Sequence, residues 1–324
     1  MDEKKAVCKK LRRYMGTTGW ALLVYFLIMN VAVSAAAMID AFIISFDYAM
    51  SGGSSGQMEA ELAERLAGNG WGYIAACILG GMILLLWKKK DFCIHTIWQK
   101  GAQMRFGTFM LLLCLMMLGQ ALFQLLTPLM YWLFGLMGID LEAFINSATM
   151  DSDSFSMVLY AGVFAPFFEE ILFRGLVMRH LQPYGKKLAI IGSALLFGIF
   201  HGNIVQIPYA FVVGLVLGYV AMEYNIGWAM LLHLINNLVL GDTVMRLMSG
   251  LQEWLQGLIL MIVIWGMTIA AVICLIVKRK EVAAWFRAER THPWCISSFF
   301  LAPGNIVFTL VLIGNVLLSL LLMK

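Results

Sequence analysis

The sequence predicts an all-α protein: a polytopic transmembrane helical bundle with about eight or nine spans. Apolar residues make up 61% of the 324 residues and charged residues 13%, and the mean hydropathy is +0.84. Soluble domains are about 45–50% apolar and about 25% charged. The composition therefore excludes a soluble globular domain and a disordered chain. The net charge of +4 comes from basic residues between apolar segments, which excludes a nucleic-acid partner.

Nine segments are apolar and long enough to approach the roughly 20 residues that a spanning helix needs. They are 17–40, 71–87, 106–127, 156–178, 188–206, 208–223, 226–245, 255–277 and 304–323. The first resembles a signal peptide, but its apolar run is long, so we expect an uncleaved anchor. We expect Pro128 to end the third segment. The pattern Gly214-x-x-x-Gly218 in the sixth predicts close helix packing.

The distribution of basic residues predicts the orientation in the membrane. With the N-terminus in the cytoplasm, most of the 23 Lys and Arg residues fall in the cytoplasmic connections. This asymmetry is the expected positive-inside bias. We therefore predict a multi-pass protein of the cell membrane with a cytoplasmic N-terminus and the lipid bilayer as its surroundings. The oligomeric state remains open.

Charged residues within the fourth segment predict a functional site. Ionisable groups inside a membrane are costly and usually functional. Glu170 and Arg174 are four residues apart, so they share a helix face and can pair. Glu169 points about 100° away and is left to face a cavity. In an apolar cavity such a carboxylate suits a general base, although an ion cluster or a proton relay is the alternative.

The fifth and seventh segments add imidazole and amide groups. His201 lies one turn after Phe197 in the fifth, and His233 and Asn237 share one face of the seventh. His233 and Asn237 offer the donors that an oxyanion hole needs, although interhelical hydrogen bonds would also explain them. By helix rise His201 lies about 20 Å from the cytoplasmic end and His233 about 10 Å. Convergence therefore requires tilt or a short re-entrant break.

These residues together resemble the signature of the CPBP intramembrane proteases. The signature is Glu169-Glu170-x-x-x-Arg174, Phe197-x-x-x-His201 and His233-x-x-x-Asn237. The family includes type II CAAX prenyl endopeptidases and the bacteriocin-processing or bacteriocin-immunity (Abi) group. The resemblance predicts N-terminal transmembrane helices and outer loops (1–155), a catalytic helical core (156–245) and C-terminal transmembrane helices (246–324).

The resemblance implies an intramembrane endopeptidase with a water-accessible catalytic cavity in the bilayer. Glu169 and His201 would activate water, and His233 and Asn237 would stabilise the oxyanion. Glu170 and Arg174 would hold the first motif in place. The implied substrate is a membrane-associated peptide or protein, such as a CAAX-type prenylated C-terminus or a bacteriocin-like peptide.

Cofactor and function each retain alternatives. The resemblance implies a glutamate-dependent site without a cofactor, but two His and one Glu are also a catalytic zinc ligand set. The six scattered cysteines support neither a disulfide framework nor a zinc-thiolate site. A non-catalytic bacteriocin-immunity or scaffold protein is the first functional alternative. A proton-coupled transporter is the second, since buried Glu and His also form relays.

Overall fold

A computed structural model describes residues 2–52, 54–87, 92–139, 141, 142, 145, 154–288 and 291–322. Within these residues the regular structure is entirely helical, which agrees with the predicted fold class. The helices are α1 (Asp2–Ser51), α2 (Ser55–Gly68), α3 (Gly70–Trp87), α4 (Phe106–Gly135), α5 (Phe155–Tyr184), α6 (Lys186–Phe200), α7 (Gln206–Glu223), α8 (226–248), α9 (Glu253–Val277), α10 (Arg279–Ala288), α11 (Pro293–Phe300) and α12 (Pro303–Leu322).

The polytopic bundle is confirmed by the length and hydropathy of the helices. Within the described residues, 6 helices are long and apolar enough to cross a membrane, or up to 7 if the bent pair α2 and α3 forms one span. The helices α6 and α8 coincide with two further predicted spans but do not meet this criterion. The count of eight or nine spans therefore stays a prediction.

The third predicted span does not end at Pro128. Helix α4 continues through this proline to Gly135. The Thr127 hydroxyl donates a hydrogen bond of 2.8 Å to the carbonyl of Phe123. Membrane helices tolerate proline because hydroxyl side chains and neighbouring helices satisfy the backbone groups that proline disturbs. The helix therefore extends seven residues beyond the proline at which we expected the third segment to end.

The fifth predicted span, 188–206, is shorter in the structure. Helix α6 ends at Phe200, and His201 follows as its C-terminal cap. Gly202 then adopts a φ of 60°, a left-handed conformation that terminates helices and that glycine adopts without strain. Helix α7 starts only at Gln206. The chain is thus broken between these two helices, which places His201 at a helix end.

Parts of α5 and α8 are wound as π-helix. These parts are Tyr160–Phe164 and Glu170–Met178 in α5 and Ile235–Thr243 in α8. Each residue of a π-helix bonds to the residue five positions away, and such turns are frequent at functional sites. Both arginines of α5 reach backbone carbonyls of α7: Arg174 binds Gly214 O at 3.1 Å, and Arg179 binds Ala221 O at 2.9 Å.

Helices α6 and α7 pack closely in the centre of the bundle, as the small-residue pattern predicts. A Cβ atom placed on Gly214 would lie 3.1 Å from the Cβ of Ala194, and one on Gly218 would lie 3.2 Å from the Cγ2 of Ile190. The glycines therefore allow a backbone approach that larger residues would obstruct. The main apolar core extends from this contact to α1, α4, α5, α8, α11 and α12.

Candidate active site

The centre of the site is a buried ion pair within α5. The Nη1 atom of Arg174 donates to Oε1 of Glu170 at 2.8 Å, and both side chains are 0% exposed. The spacing of four residues predicted this pair. The second Arg174 nitrogen binds the Gly214 carbonyl, and the guanidinium lies 4.4 Å from the ring centroid of Phe197. Arg174 therefore neutralises Glu170 and also ties α5 to α6 and α7.

His233 of α8 lies between the two adjacent carboxylates. Its Nδ1 is 2.9 Å from Oε1 of Glu170, and its Nε2 is 3.7 Å from Oε2 of Glu169. Because an ionised carboxylate only accepts, Nδ1 carries the proton in its contact with Glu170. The Glu169 side chain is 18% exposed, whereas that of His233 is 4% exposed. Of the two carboxylates, Glu169 is the one that solvent reaches.

His201 joins the same cluster from the end of α6. Its Nδ1 lies 2.8 Å from the carbonyl oxygen of Phe197. A carbonyl can only accept, so Nδ1 donates and the Nε2 of the neutral ring is an acceptor. The ring of Phe197 packs edge-on against both imidazoles, at 4.7 Å from His201 and 5.8 Å from His233. The shared contact with Phe197 brings the fifth and seventh predicted spans together.

Asn237 binds α5 at a different level from His233. Its Nδ2 donates to the carbonyl of Ala161 at 3.2 Å, and its Oδ1 accepts from Nδ2 of Asn236 at 2.9 Å. The contact of His233, by contrast, is with Glu170, nine positions further along α5. The structure thus brings both predicted oxyanion donors to α5, while the hydrogen bonds described for each side chain go to different partners.

The structure adds a polar network that the sequence analysis did not single out. Asn236 donates to the hydroxyl oxygen of Tyr209 in α7 at 2.7 Å, and Gln120 of α4 donates to the same oxygen at 3.3 Å. An available signal was the second asparagine beside Asn237, together with Gln120, one of two glutamines inside the third apolar segment.

An apolar groove of about 300 Å³ opens between α5 and α8 beside this cluster. Its lining residues are Val163, Phe164, Pro166, Phe167, Met230, Leu231 and Leu234. Phe167 and Leu231 are 42% and 40% exposed. Phe167 is two positions before Glu169, and Leu234 directly follows His233. The groove therefore lies on the two helices that carry Glu169 and His233.

The site does not present an evident metal-ligand set. In the part of the chain that the structure describes, no group of three or more His, Cys, Asp or Glu side chains is arranged to hold one metal ion. The hydrogen bond from Nδ1 of His233 to Glu170 leaves Nε2 of this imidazole as a potential ligand, so the zinc alternative stays a prediction.

Comparison with known proteins identifies one family. Residues 151–239 match the family model described as type II CAAX prenyl endopeptidase Rce1-like. The match contains all six predicted site residues and supports membership of the CPBP family, as the three motifs predicted. It gives no support to the bacteriocin-immunity branch. No curated protein and no solved structure matches the chain.

Proposed function

We propose that this chain is a CAAX-type intramembrane endopeptidase that hydrolyses a peptide bond of a membrane-associated substrate. The observation that carries the proposal is the arrangement around His233. A buried Arg174–Glu170 pair holds Nδ1 of this imidazole, and the partly exposed Glu169 lies beside Nε2. Glu170 is neutralised by Arg174 and has a structural role, whereas the accessible Glu169 is available to act as a base. The match to an endopeptidase family over the same residues supports this assignment.

Glu169 is the general base in this proposal, and His201 helps to hold the water. The water donates one proton towards the Glu169 carboxylate, while Nε2 of His201 accepts its other O–H. As the water O–H bond that points to Glu169 breaks, its proton passes to the carboxylate. The oxygen electron pair then forms a bond to the carbonyl carbon of the substrate. Positioned acid–base groups of this kind contribute about 10²–10⁴-fold to a rate.

His233 and Asn237 stabilise the negative charge that develops on the carbonyl oxygen. In this role Nε2 of His233 also carries a proton, and the Glu170 carboxylate at Nδ1 offsets the positive charge. The Asn237 amide supplies a second donor. When the tetrahedral intermediate collapses, the carbon–nitrogen bond breaks and the leaving nitrogen takes the proton from Glu169. The carboxylate is then ready for another cycle.

The apolar groove suits the lipid-modified part of a CAAX-type substrate. Its lining offers almost entirely aliphatic and aromatic surface, and it lies on the side of the bundle where α5 and α8 expose apolar residues. An isoprenoid chain that enters such a groove from the bilayer exchanges lipid contacts for aliphatic and aromatic side chains, so close packing is what would favour its binding. A lipid seated there would hold the adjoining peptide near Glu169.

The test is cleavage of defined peptides by purified protein in nanodiscs. We would compare the wild type with Glu169→Gln and with the control Glu64→Gln, whose side chain is exposed on α2. Substrates are matched C-terminal peptides with and without a farnesyl group, and products are read by mass spectrometry. We expect cleavage by the wild type and the control, with a loss of at least about 100-fold in Glu169→Gln.

Other outcomes distinguish the alternatives. Equal cleavage by all three proteins would reject Glu169 as the base. No cleavage by folded wild type would reject the endopeptidase proposal and favour a non-catalytic scaffold. Proton flux in proteoliposomes that disappears in Glu169→Gln, without any cleavage, would favour a transporter.

A further inference from the structure

A chain of hydrogen bonds leads away from the oxyanion position into the bundle. It begins at the Ala161 carbonyl, passes through Asn237 and Asn236, and ends at Tyr209, which also receives Gln120. The chain joins α5, α8, α7 and α4. Asn236 is 3% exposed, so its partners are fixed by protein groups rather than by bulk water.

The direction of each hydrogen bond in this chain follows from its first group, the Ala161 carbonyl. The Ala161 carbonyl can only accept, so Asn237 must turn its Nδ2 towards it. The Oδ1 of Asn237 then faces Asn236 and requires a donor, which Nδ2 of Asn236 supplies at 2.9 Å. The same Nδ2 carries a second hydrogen, and the Tyr209 oxygen accepts it at 2.7 Å. The Ala161 carbonyl and the Tyr209 oxygen therefore hold the two amides from opposite ends of the chain.

The orientation is retained although it leaves an acceptor unsatisfied. Oδ1 of Asn236 is buried and has no hydrogen-bond partner among the residues that the structure describes. A native structure rarely leaves a buried polar atom in this state, and each case requires an explanation. Rotation of the Asn236 amide would place oxygen against oxygen at Asn237. The unsatisfied atom is the consequence of keeping Asn237 in one orientation.

We infer that Tyr209 and Asn236 are positioning residues that orient the Asn237 amide for the oxyanion. This inference rests on the proposed function, in which Asn237 is an oxyanion donor. Without the Tyr209 hydroxyl, one N–H of Asn236 loses its acceptor, and the Asn236 amide is held only by its bond to Asn237. The donor to Oδ1 of Asn237 is then no longer fixed from the side of α7. The effect of Tyr209 on the reaction therefore passes through Asn237.

The kinetic test compares Tyr209→Phe with Tyr219→Phe. Tyr219 lies on the same helix, and its ring packs against Trp285 at a centroid distance of 5.8 Å, outside the network. For Tyr209→Phe we expect kcat to fall about tenfold with KM within about twofold, the lower end of losses for supporting residues. The control should match the wild type. Equal kinetics in the two variants would overturn the inference.

A double variant separates action through Asn237 from a general structural effect. Asn237→Ala should lower kcat by about 10²–10³-fold, as expected for loss of an oxyanion donor. Adding Tyr209→Phe to it should cost no more than about twofold further, because the positioned group is already absent. Multiplicative losses would contradict the inference. If Tyr209→Phe does not fold, Asn236→Asp replaces it, since this substitution removes both donated bonds at nearly constant size.

A second readout does not depend on cleavage. Side-chain amide groups of ¹⁵N-asparagine-labelled protein are observed by NMR, and the Asn237 signal is assigned by its loss in Asn237→Asp. We expect this signal to shift or broaden in Tyr209→Phe and to stay unchanged in Tyr219→Phe. An unchanged signal in Tyr209→Phe would overturn the positioning role. If the wild type cleaves no peptide, the proposed function fails, and the amide signal still decides the orientation of Asn237.

Discussion

Replacement of Arg174 by methionine isolates the buried charge at the centre of the bundle. The substitution removes the 2.8 Å ion pair to Glu170 and the 3.1 Å bond to the Gly214 carbonyl. Methionine fills much of the same volume, so cavity formation contributes little. The main consequence is a carboxylate that is 0% exposed and retains His233 as its remaining described partner.

The expected loss of unfolding free energy is about 4 kcal/mol. Breaking a buried pair by removing one partner costs about 3–5 kcal/mol, because the remaining charge is uncompensated. The orphaned Gly214 carbonyl adds about 1 kcal/mol, and methionine contact with the Phe197 ring recovers a part. A second substitution, Glu170→Gln, removes the uncompensated charge. The double variant should therefore regain at least about 2 kcal/mol relative to Arg174→Met alone.

The assay is thermal unfolding in detergent, followed by tryptophan fluorescence. At about 2 °C per kcal/mol for a large chain, Arg174→Met should lower the Tm by about 8 °C. The control is Lys278→Met, since Lys278 is 51% exposed and lies 3.1 Å from Glu281, whose side chain is 74% exposed. Exposed pairs contribute about 0–1 kcal/mol, so the control should shift by at most about 2 °C. Equal shifts in both single variants, or a double variant less stable than Arg174→Met, would refute the reasoning.

Three further predictions concern packing, substrate and cofactor. Gly214→Val should lower the unfolding free energy by about 1–3 kcal/mol and impair cleavage, because its Cβ would lie 3.1 Å from Ala194 and Phe197. Thermal unfolding compares it with Gly266→Val, whose Cβ would meet nothing within 4 Å, and equal effects of the two substitutions would contradict the prediction. Leu231→Trp should fill the groove and raise KM about tenfold for a farnesylated peptide but not for its unmodified counterpart; the same increase for both peptides would count against lipid binding there. Treatment with a metal chelator should leave the cleavage rate within about twofold, and a loss that added zinc restores would establish the zinc alternative.

Which residues share a face of one helix could be predicted from the sequence. Glu170 and Arg174 pair because four residues separate them, and the glycines of α7 meet α6 because they share a face. Such relations depend on helix geometry alone, which the hydropathy pattern already implies. The family was recognisable for the same reason, since its three motifs are each contained in one helical turn.

Contacts between different helices could be predicted less well from the sequence. The break after His201 depends on the positive φ of Gly202, and an apolar run continues on both sides of it. The acceptor role of Tyr209 depends on how α4 and α7 pack, and a tyrosine inside an apolar segment is equally compatible with simple burial. Hydropathy describes how apolar each residue and its sequence neighbours are, but it does not identify the polar partner that a neighbouring helix supplies.

The π-helical winding of Glu170–Met178 determines the direction in which the following side chains point around the axis of α5. Arg174 and Arg179 are five positions apart, which an α-helix would place about 140° from each other, whereas π-winding aligns them. Both then reach carbonyls of α7, seven positions apart at Gly214 and Ala221. Inserting a single residue between the two arginines would leave the first motif intact and turn Arg179 away from α7. Insertions in this stretch are therefore constrained by angle as well as by length, even where no site residue is altered.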